Sequence, residues 1–173
     1  MKYKNIKNSI FILFISFIFL FFPLNASAEI LFGKEYQQTL HNHIIQAEDS
    51  ITVAMYFIYS NFEDLDNPID QLVTDLIEAN QRGVDVKVVL EGSKLNVSRL
   101  AYQKLRQNGI KVYFDTPAYL LHIKGVVIDN RYIFLGSANW SKAAIEKNYE
   151  ATYFIDSPEE AEILTQYINN IPI

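Results

Sequence analysis

Four polar residues with the chemistry to handle a phosphate lie between positions 122 and 139 of this sequence. His122 and Lys124 are two residues apart in an alternating apolar segment, which predicts a β-strand with both side chains on one face. Ser137 and Asn139 end the returning strand of a predicted hairpin, so they come back toward the first pair. A lysine and neutral donors can surround an anionic tetrahedral group, and a neutral histidine aimed at that group can attack phosphorus.

Two carboxylates complete this candidate set. Asp129 stands at the end of the first strand, and Glu150 opens the strand that follows the hairpin. If Glu150 accepts the second ring N–H of His122, it fixes the tautomer and makes the imidazole more nucleophilic. The alternative for Glu150 is a surface ion pair with Lys147. We predict no metal and no other cofactor, because no carboxylate cluster is placed to hold a metal ion.

The elements that must position these residues indicate an α/β fold, with a mixed β-sheet flanked by helices on both faces in a single domain. Asn67-Pro68 and Ser157-Pro158 have the residue types of helix starts, and Gly83 is a helix stop. The third helix is expected to bury Leu100, and the last helix to bury Ile163 and Tyr167 among others. Predicted strands cover 30–32, 50–59, 84–90, 110–114, 121–128, 132–135 and 149–155, and predicted helices cover 35–47, 68–82, 98–107 and the segment after 157.

Residues 1–28 form a separate segment that is typical of a secretory signal peptide. Three early lysines precede a 13-residue apolar run from Ile10 to Phe22, and Ala26-Ser27-Ala28 supplies small residues for cleavage. The alternative is a membrane anchor, but a spanning helix needs about 20 apolar residues. We therefore predict cleavage after Ala28, a catalytic domain over 29–173, a secreted or periplasmic location, and no stable membrane span after cleavage.

The composition narrows the function classes. The absence of cysteine from the 173 residues excludes a disulfide framework, a zinc finger and a cysteine nucleophile. The formal charge is −5; removal of residues 1–28 takes three of the 15 basic residues and none of the 20 acidic ones, which leaves −8. A broadly basic protein that coats nucleic acid is thus excluded.

The spacing His122-x-Lys124-x4-Asp129-x6-Gly136-Ser137-x-Asn139 resembles the HKD signature of the phospholipase D superfamily. Glu150 falls where related small members carry a histidine-orienting glutamate. The order of strands and helices is similar to that of the small secreted bacterial endonucleases of this superfamily. The resemblance implies cleavage of phosphodiesters through a covalent phosphohistidine, with two HKD motifs at one site.

This chain carries one such motif, so the resemblance implies a homodimer with its active site at the two-fold interface. His122 would be the nucleophile in one subunit and the acid in the other. Lys124 and Asn139 would bind the phosphate with help from Ser137. Asp129 would buttress the motif without touching phosphorus.

Three functions stay open at this point. A nuclease would need basic residues clustered around the hairpin to offset the overall acidity; the candidates are Lys94, Lys124, Arg131, Lys142 and Lys147. A phospholipase D acting on lipid head groups would tolerate the acidity, although no polybasic segment marks a bilayer surface. A non-catalytic dimeric binding module is the third alternative.

Other suggestive motifs have simpler interpretations. His41-x-His43 lies in a predicted helix, where residues two apart do not share a face, so we expect two surface histidines rather than a metal pair. Residues 63–66 lack the full pattern of a calcium loop and predict a solvated loop. Trp140 is expected in the core, with stacking on a substrate base as the alternative.

Overall fold

The computed structural model describes residues 27–62, 66–116 and 118–173. Nearly all of the predicted signal peptide, and most of the acidic loop at 63–66, lie outside the described residues. Ser27 and Ala28 belong to the first strand, so cleavage after Ala28 would shorten that strand by two residues. Within the described ranges, no helix has both the length and the apolar character needed to cross a bilayer.

The chain alternates strands and helices before it turns to a hairpin, a strand and a final helix. The strands are β1 Ser27–Leu31, β2 Ser50–Met55, β3 Asp85–Leu90, β4 Lys111–Phe114, β5 Lys124–Ile128, β6 Tyr132–Gly136 and β7 Thr152–Asp156. The helices are α1 Gly33–Gln46, α2 Pro68–Arg82, α3 Leu95–Gln107, α4 Lys142–Glu146 and α5 Pro158–Asn169, and a 3₁₀ turn covers Gly92–Lys94. The predicted order of elements is confirmed, with the short α4 and the 3₁₀ turn as additions.

The strands form one seven-stranded mixed sheet in the order β1-β7-β6-β5-β2-β3-β4. The β2-β3 and β3-β4 pairs are parallel, while the other neighbours, including the β5-β6 hairpin, are antiparallel. The predicted fold class, a mixed sheet with helices on both faces, is confirmed. The carboxyl ends of β2 and β3 meet the beginning of β5 at one edge of the sheet.

The two faces of the sheet are covered unequally. The main core lies under α1 to α4 and contains the inward residues of the central strands, such as Val53, Val88 and Val126. Among the described helices, α5 covers the opposite face, through Ala161 and Ile168 in two small clusters. Part of that face therefore remains open to solvent.

Local signals set the helix boundaries as predicted. The Asn67 side chain accepts a hydrogen bond from the Ile69 backbone N–H, and Pro68 occupies the first helical position of α2. Gly83 ends that helix with φ of 101°, a left-handed conformation that favours glycine. Ser157 caps α5 in the same way by accepting from the N–H of Glu160.

Three strands differ from their predicted bounds by several residues. β7 begins at Thr152 rather than at Tyr149, so Glu150 precedes this strand and does not open it. β2 ends at Met55 rather than at Tyr59, because Ile58 leaves the β5 ladder and pairs with Trp140 instead. β5 begins at Lys124 rather than at Leu121, because its pairing with β2 starts there. His122 therefore lies in the segment that leads into the strand.

The prediction of inward residues was wrong at three helix positions. Leu100 in α3 is 43% exposed, and Ile163 and Tyr167 in α5 are 57% and 65% exposed. Each helix packs through a narrow stripe, Ala101 and Leu105 in α3 and Ala161 and Ile168 in α5, so apolar residues beside the stripe stay at the surface.

The expectation of two surface histidines in α1 was also wrong. The His41 ring nitrogen Nδ1 lies 2.7 Å from a carboxylate oxygen of Asp75, which is 1% exposed. His43 packs among aromatic rings, with centroid distances of 4.9 Å to Tyr132 and 4.8 Å to Phe154. The two imidazoles contact different partners and do not form a metal pair.

Candidate active site

The ring of Tyr56, just beyond β2, gathers three groups of the candidate site. The His122 ring centroid lies 4.7 Å from the Tyr56 centroid in an edge-on contact. Lys124 Nζ lies 5.0 Å from that centroid, and Lys94 Nζ lies 5.1 Å from it. One aromatic ring thus places an imidazole beside two cations, which it also attracts through its π face.

Lys124 is nearly buried, at 6% exposure, and its ammonium group is held by the backbone of its neighbour. Nζ donates a hydrogen bond of 2.7 Å to the His122 carbonyl oxygen. Burial lowers the pKa of Lys124, and the negative charge of Glu150 acts in the opposite sense. Glu150 is therefore close enough to stabilise the charged ammonium.

The His122 side chain is exposed, but its backbone segment is anchored on both sides. The carbonyl oxygen of Ile123 accepts from the Tyr56 N–H at 3.1 Å. The Leu121 N–H donates to the Glu91 carboxylate at 2.6 Å. The imidazole therefore faces solvent from a fixed backbone, which suits a group that must meet a substrate.

The second strand of the hairpin delivers Ser137 beside Glu150. The Ser137 hydroxyl donates a short hydrogen bond to one Glu150 oxygen, and the other oxygen accepts from the Asn148 amide at 3.0 Å. In the described part of the chain, Glu150 thus bonds Ser137 and Asn148, and no hydrogen bond joins it to His122. Its role in orienting the histidine stays a prediction, as does the phosphate-binding role of Ser137.

Asn139 has one buried side-chain atom without a partner. Its Oδ1 atom has no hydrogen-bond partner among the described residues. The phosphate-binding role predicted for this amide stays a prediction.

The backbone around Asn139 is fixed by Trp140. The Trp140 side chain is fully buried and donates to the Tyr36 hydroxyl at 3.0 Å. The backbone carbonyl oxygen of Trp140 accepts from the Tyr59 N–H at 2.7 Å. The core placement predicted for Trp140 is confirmed.

Asp129 lies at the other end of the hairpin, about 16 Å along β5 from Lys124 at roughly 3.3 Å per residue. Its carboxylate accepts from the backbone N–H groups of Glu48, Asp49 and Ser50, at distances between 2.8 and 3.2 Å. These contacts tie the hairpin turn to the start of β2. They support a buttressing role and place Asp129 far from any phosphate at His122.

The predicted basic patch divides into separate groups. Lys94 and Lys124 share the Tyr56 ring at the site, as described above. Arg131 lies at the turn end of the hairpin, where its guanidinium pairs with Asp156 at 2.7 and 2.9 Å. Arg131 therefore does not belong to the group of cations around His122.

Two residues of the site escaped the sequence analysis, Tyr56 and Glu91. Both follow directly on the carboxyl ends of parallel strands, Tyr56 after β2 and Glu91 after β3. That edge is where ligands bind in open α/β sheets, so the ends of these two strands were the signal available.

The residues that the structure describes contain no group of three or more histidine, aspartate or glutamate side chains arranged to hold a metal ion. The cations near His122 are instead the ammonium groups of Lys94 and Lys124.

Known proteins resemble this chain in sequence and in fold. A family model described as "Cardiolipin synthase, PLD-like domain" matches residues 40–171. The structure of Nuc from Salmonella typhimurium, described as a phospholipase D family member, superposes with a TM-score of 0.73 at 25% identity, over 84% of this chain and 93% of that one. NucT from Helicobacter pylori shares the fold, with a TM-score of 0.69 at 22% identity over 84% of this chain and 95% of that one.

Curated relatives give a consistent classification with longer chains. A "Phospholipase D" of Rickettsia bellii is 32% identical over 123 residues, which are 70% of this chain and 58% of the relative. A "Mitochondrial cardiolipin hydrolase" of Danio rerio is 27% identical over 121 residues, 69% of this chain and 49% of the relative. This chain therefore spans about half of the length of the curated relatives it matches.

One classification follows from the mixed sheet, the His122-Lys124 pair and the family match over 132 residues. The chain belongs to the phospholipase D superfamily, in its PLD-like domain family.

Proposed function

We propose that this protein is a metal-independent phosphodiesterase that works as a homodimer and acts on nucleic acid. The observation that carries the proposal is the grouping of His122, Lys124 and Lys94 on the Tyr56 ring. This group combines an exposed nucleophile with two cations, which is what attack on an anionic phosphodiester requires. Membership of the phospholipase D superfamily supports the same reaction class.

In the first step, a neutral His122 ring nitrogen attacks phosphorus with its lone pair. The P–N bond forms while the bond from phosphorus to the leaving oxygen breaks, and that oxygen takes a proton from the partner subunit's His122. Lys124 and the Asn139 amide stabilise the charge on the phosphoryl oxygens. One product alcohol leaves, and a phosphohistidine remains.

In the second step, water attacks phosphorus and gives its proton to the partner subunit's His122, now neutral. The P–N bond breaks, its electron pair returns to the His122 ring, and a phosphomonoester leaves. One imidazole must start neutral and the other protonated. We therefore expect a bell-shaped dependence of kcat/KM on pH.

The dimer is proposed because one chain supplies one histidine of this kind. An exposed apolar stripe supports it: Ile30, Tyr153 and Leu135 are direct cross-strand neighbours, exposed at 44%, 50% and 37%. They lie on the sheet face that α5 leaves open. A second copy would cover such a patch while presenting the same surface in return.

Subunit mixing tests the dimer. If each site needs two copies of His122, then equal amounts of wild-type and His122→Asn protein, after exchange, should retain about one quarter of the wild-type activity per site. A monomeric site would retain about one half. Sedimentation velocity on each protein provides the control, because it shows whether the variant still associates.

Nucleic acid is the proposed substrate because exposed tyrosines flank the cations. Tyr119 is 86% exposed, three residues before His122, and Tyr149 is fully exposed beside Glu150. Aromatic rings beside lysines suit a strand whose bases stack while its backbone meets the cations. The fold match to Nuc, over 84% of this chain and 93% of that one, supports the small nuclease form of the superfamily.

Phospholipid is the second candidate, favoured by a cleft of about 280 Å³ beside His122. The cleft is mainly apolar and includes Leu120, Tyr167 and Ile171. An acyl chain would suit such walls. The names of the curated relatives, phospholipase D and cardiolipin hydrolase, point the same way.

One parallel assay separates these candidates. The purified protein is incubated with plasmid DNA, single-stranded RNA and phosphatidylcholine vesicles, each with His122→Asn as the control. Cleavage of a nucleic acid by the wild type alone supports the proposal. Turnover of lipid alone favours the phospholipase, and no turnover favours a binding module.

Export is part of the proposal and has its own test. Expression of the full chain with its own first 28 residues should give a processed protein outside the cytoplasm, with Glu29 as its first residue. Mass spectrometry of the intact protein measures the cleavage position. Retention of the unprocessed chain in the membrane would favour an anchor instead.

A further inference from the structure

A buried carboxylate behind the site connects the segment before His122 to the turn that carries Lys94. Glu91 follows β3 and is 3% exposed. One of its oxygens accepts from the Leu121 N–H at 2.6 Å, directly before His122. The other accepts from the Ser93 N–H at 3.0 Å, within the 3₁₀ turn that carries Lys94. A single side chain therefore ties the nucleophile's segment to the turn of the second cation.

Asp115, just after β4, supports Glu91 from the neighbouring strand. It is 8% exposed and accepts from the Gly92 N–H at 2.6 Å. This approach requires glycine, because a Cβ on Gly92 would lie 2.9 Å from the Asp115 carbonyl oxygen. Loss of the Asp115 side chain would therefore release the turn as well.

The two carboxyl groups influence each other's ionisation. Burial raises the pKa of Asp115, and the negative charge of Glu91 raises it further. Burial also opposes ionisation of Glu91, but hydrogen bonds from Ser93, Leu121 and Asp115 lower its pKa on balance. The surroundings therefore favour the protonated form of Asp115 and the ionised form of Glu91.

Stability alone does not account for this arrangement. A buried carboxylate costs free energy of desolvation, and none of the described lysines or arginines forms an ion pair with Glu91. A neutral side chain would avoid that cost. A neutral amide would not offer a separate acceptor oxygen to each of two backbone N–H groups on different segments, which is what the carboxylate does here.

We propose that Glu91 is a positioning residue that holds His122 at its attack distance by fixing the Leu121 backbone against the Lys94 turn. The inference rests on the proposed phosphodiesterase function. A displacement of about 1 Å at a reacting group can cost about a hundredfold in rate, so loss of this bridge should lower kcat more than it weakens binding.

Substitutions can distinguish a positioning role of Glu91 from the effect of altering any buried carboxyl group. In Glu91→Gln, one of the two backbone N–H groups faces an amide N–H instead of an acceptor. In Asp115→Asn, the amide oxygen can still accept from Gly92, and the amide N–H can donate to Glu91. Asp115→Ala removes both contacts. Asp75→Asn alters another buried acid, in α2, that has no contact with the site.

The test measures kcat and KM with bis(4-nitrophenyl) phosphate, alongside thermal unfolding. We expect Glu91→Gln and Asp115→Ala to lower kcat by about tenfold or more, with KM within about twofold. Asp115→Asn should stay within about threefold of the wild type. Asp75→Asn should unfold at a lower temperature without a change in kcat per folded molecule.

Unchanged kcat in folded Glu91→Gln overturns the inference. If that variant does not fold, unchanged kcat in Asp115→Ala overturns it instead. Nuclear Overhauser contacts between the His122 and Tyr56 rings give a readout without turnover: they should be present in the wild type and weakened in either variant. A wild type that cleaves no phosphodiester refutes the proposed function, and the ring contacts then still decide the role of Glu91.

Discussion

Lys124 donates its side-chain hydrogen bond to the carbonyl oxygen of His122, at 2.7 Å. The ammonium group of Lys124 is thus fixed by the backbone of His122, the proposed nucleophile, two residues away. This bond couples the position of the ammonium group to that of the His122 backbone.

Removal of this cation should abolish turnover without unfolding the protein. We expect Lys124→Ala to lower kcat/KM by about a thousandfold, the scale found when a charge-stabilising donor is lost. Lys124→Arg should restore little, because the longer planar group cannot keep the same bond within a nearly buried site. Steady-state kinetics and circular dichroism measure both effects. Activity within tenfold of the wild type in Lys124→Ala would contradict the assigned role.

Chelation should leave the activity unchanged. In the proposed reaction, Lys124 and Lys94 neutralise the charge of the phosphate, and no step uses a divalent ion. The measurement is cleavage of plasmid DNA after dialysis against EDTA, with a known magnesium-dependent nuclease as the positive control. Loss of cleavage that returns on addition of a divalent ion would refute the metal-free scheme.

The hairpin turn should depend on Asp129 more than on its neighbour. Asp129 and Asn130 both have left-handed φ angles, 52° and 47°, but only Asp129 accepts from the backbone at the start of β2. Asn130→Ala should cost about 1 kcal/mol through strain alone. Asp129→Ala should cost about 2 kcal/mol more, because it also leaves backbone N–H groups without their charged acceptor.

Urea unfolding of both variants measures this difference directly. The comparison is matched, since the substitutions share the new side chain and the backbone region. Equal free energies of unfolding for the two variants would show that the bonds to Glu48, Asp49 and Ser50 contribute nothing.

The glycine of the motif is required by its neighbours rather than by its φ angle. A Cβ on Gly136 would lie 2.2 Å from the Ala151 carbonyl oxygen and 2.6 Å from Thr152 Cα. Gly136→Ala should therefore separate β6 from β7 and lower stability by about 3 kcal/mol. At Gly125, in the adjacent strand, a Cβ meets side chains only at 3.5 Å. Gly125→Ala is the control, and thermal unfolding should find it close to the wild type.

Much of the fold could be predicted because its signals are local. The alternation around β2 and β3, the caps at Asn67 and Ser157, and the stop at Gly83 each act within a few residues. The errors arose where tertiary contacts decide. Tyr167 extends the apolar pattern of α5, but no element covers it.

The candidate site divides in the same way. The motif from His122 to Asn139 could be predicted from the sequence, because the two strands of a hairpin bring residues at a fixed spacing close together. Tyr56 and Glu91 reach the site from strands 30 to 70 residues earlier, through the sheet order. No spacing in the sequence shows that the carboxyl ends of β2 and β3 meet the beginning of β5. The contribution of Tyr56 and Glu91 could therefore be seen only in the structure.

The ion pair at the turn predicts how stability depends on pH. The hydrogen bonds from Arg131 hold the pKa of Asp156 below its ordinary value. A carboxyl group with a lowered folded-state pKa stabilises the fold above its unfolded pKa, and this contribution is lost as pH falls through the folded value.

The wild type should therefore exceed Arg131→Gln in free energy of unfolding at pH 7, and the difference should shrink below about pH 4. Because the Arg131 side chain is 50% exposed, solvent screens this ion pair, so the difference should be small and salt should reduce it. Urea unfolding from pH 7 to pH 3 measures it; a difference that grows on acidification would contradict the assignment.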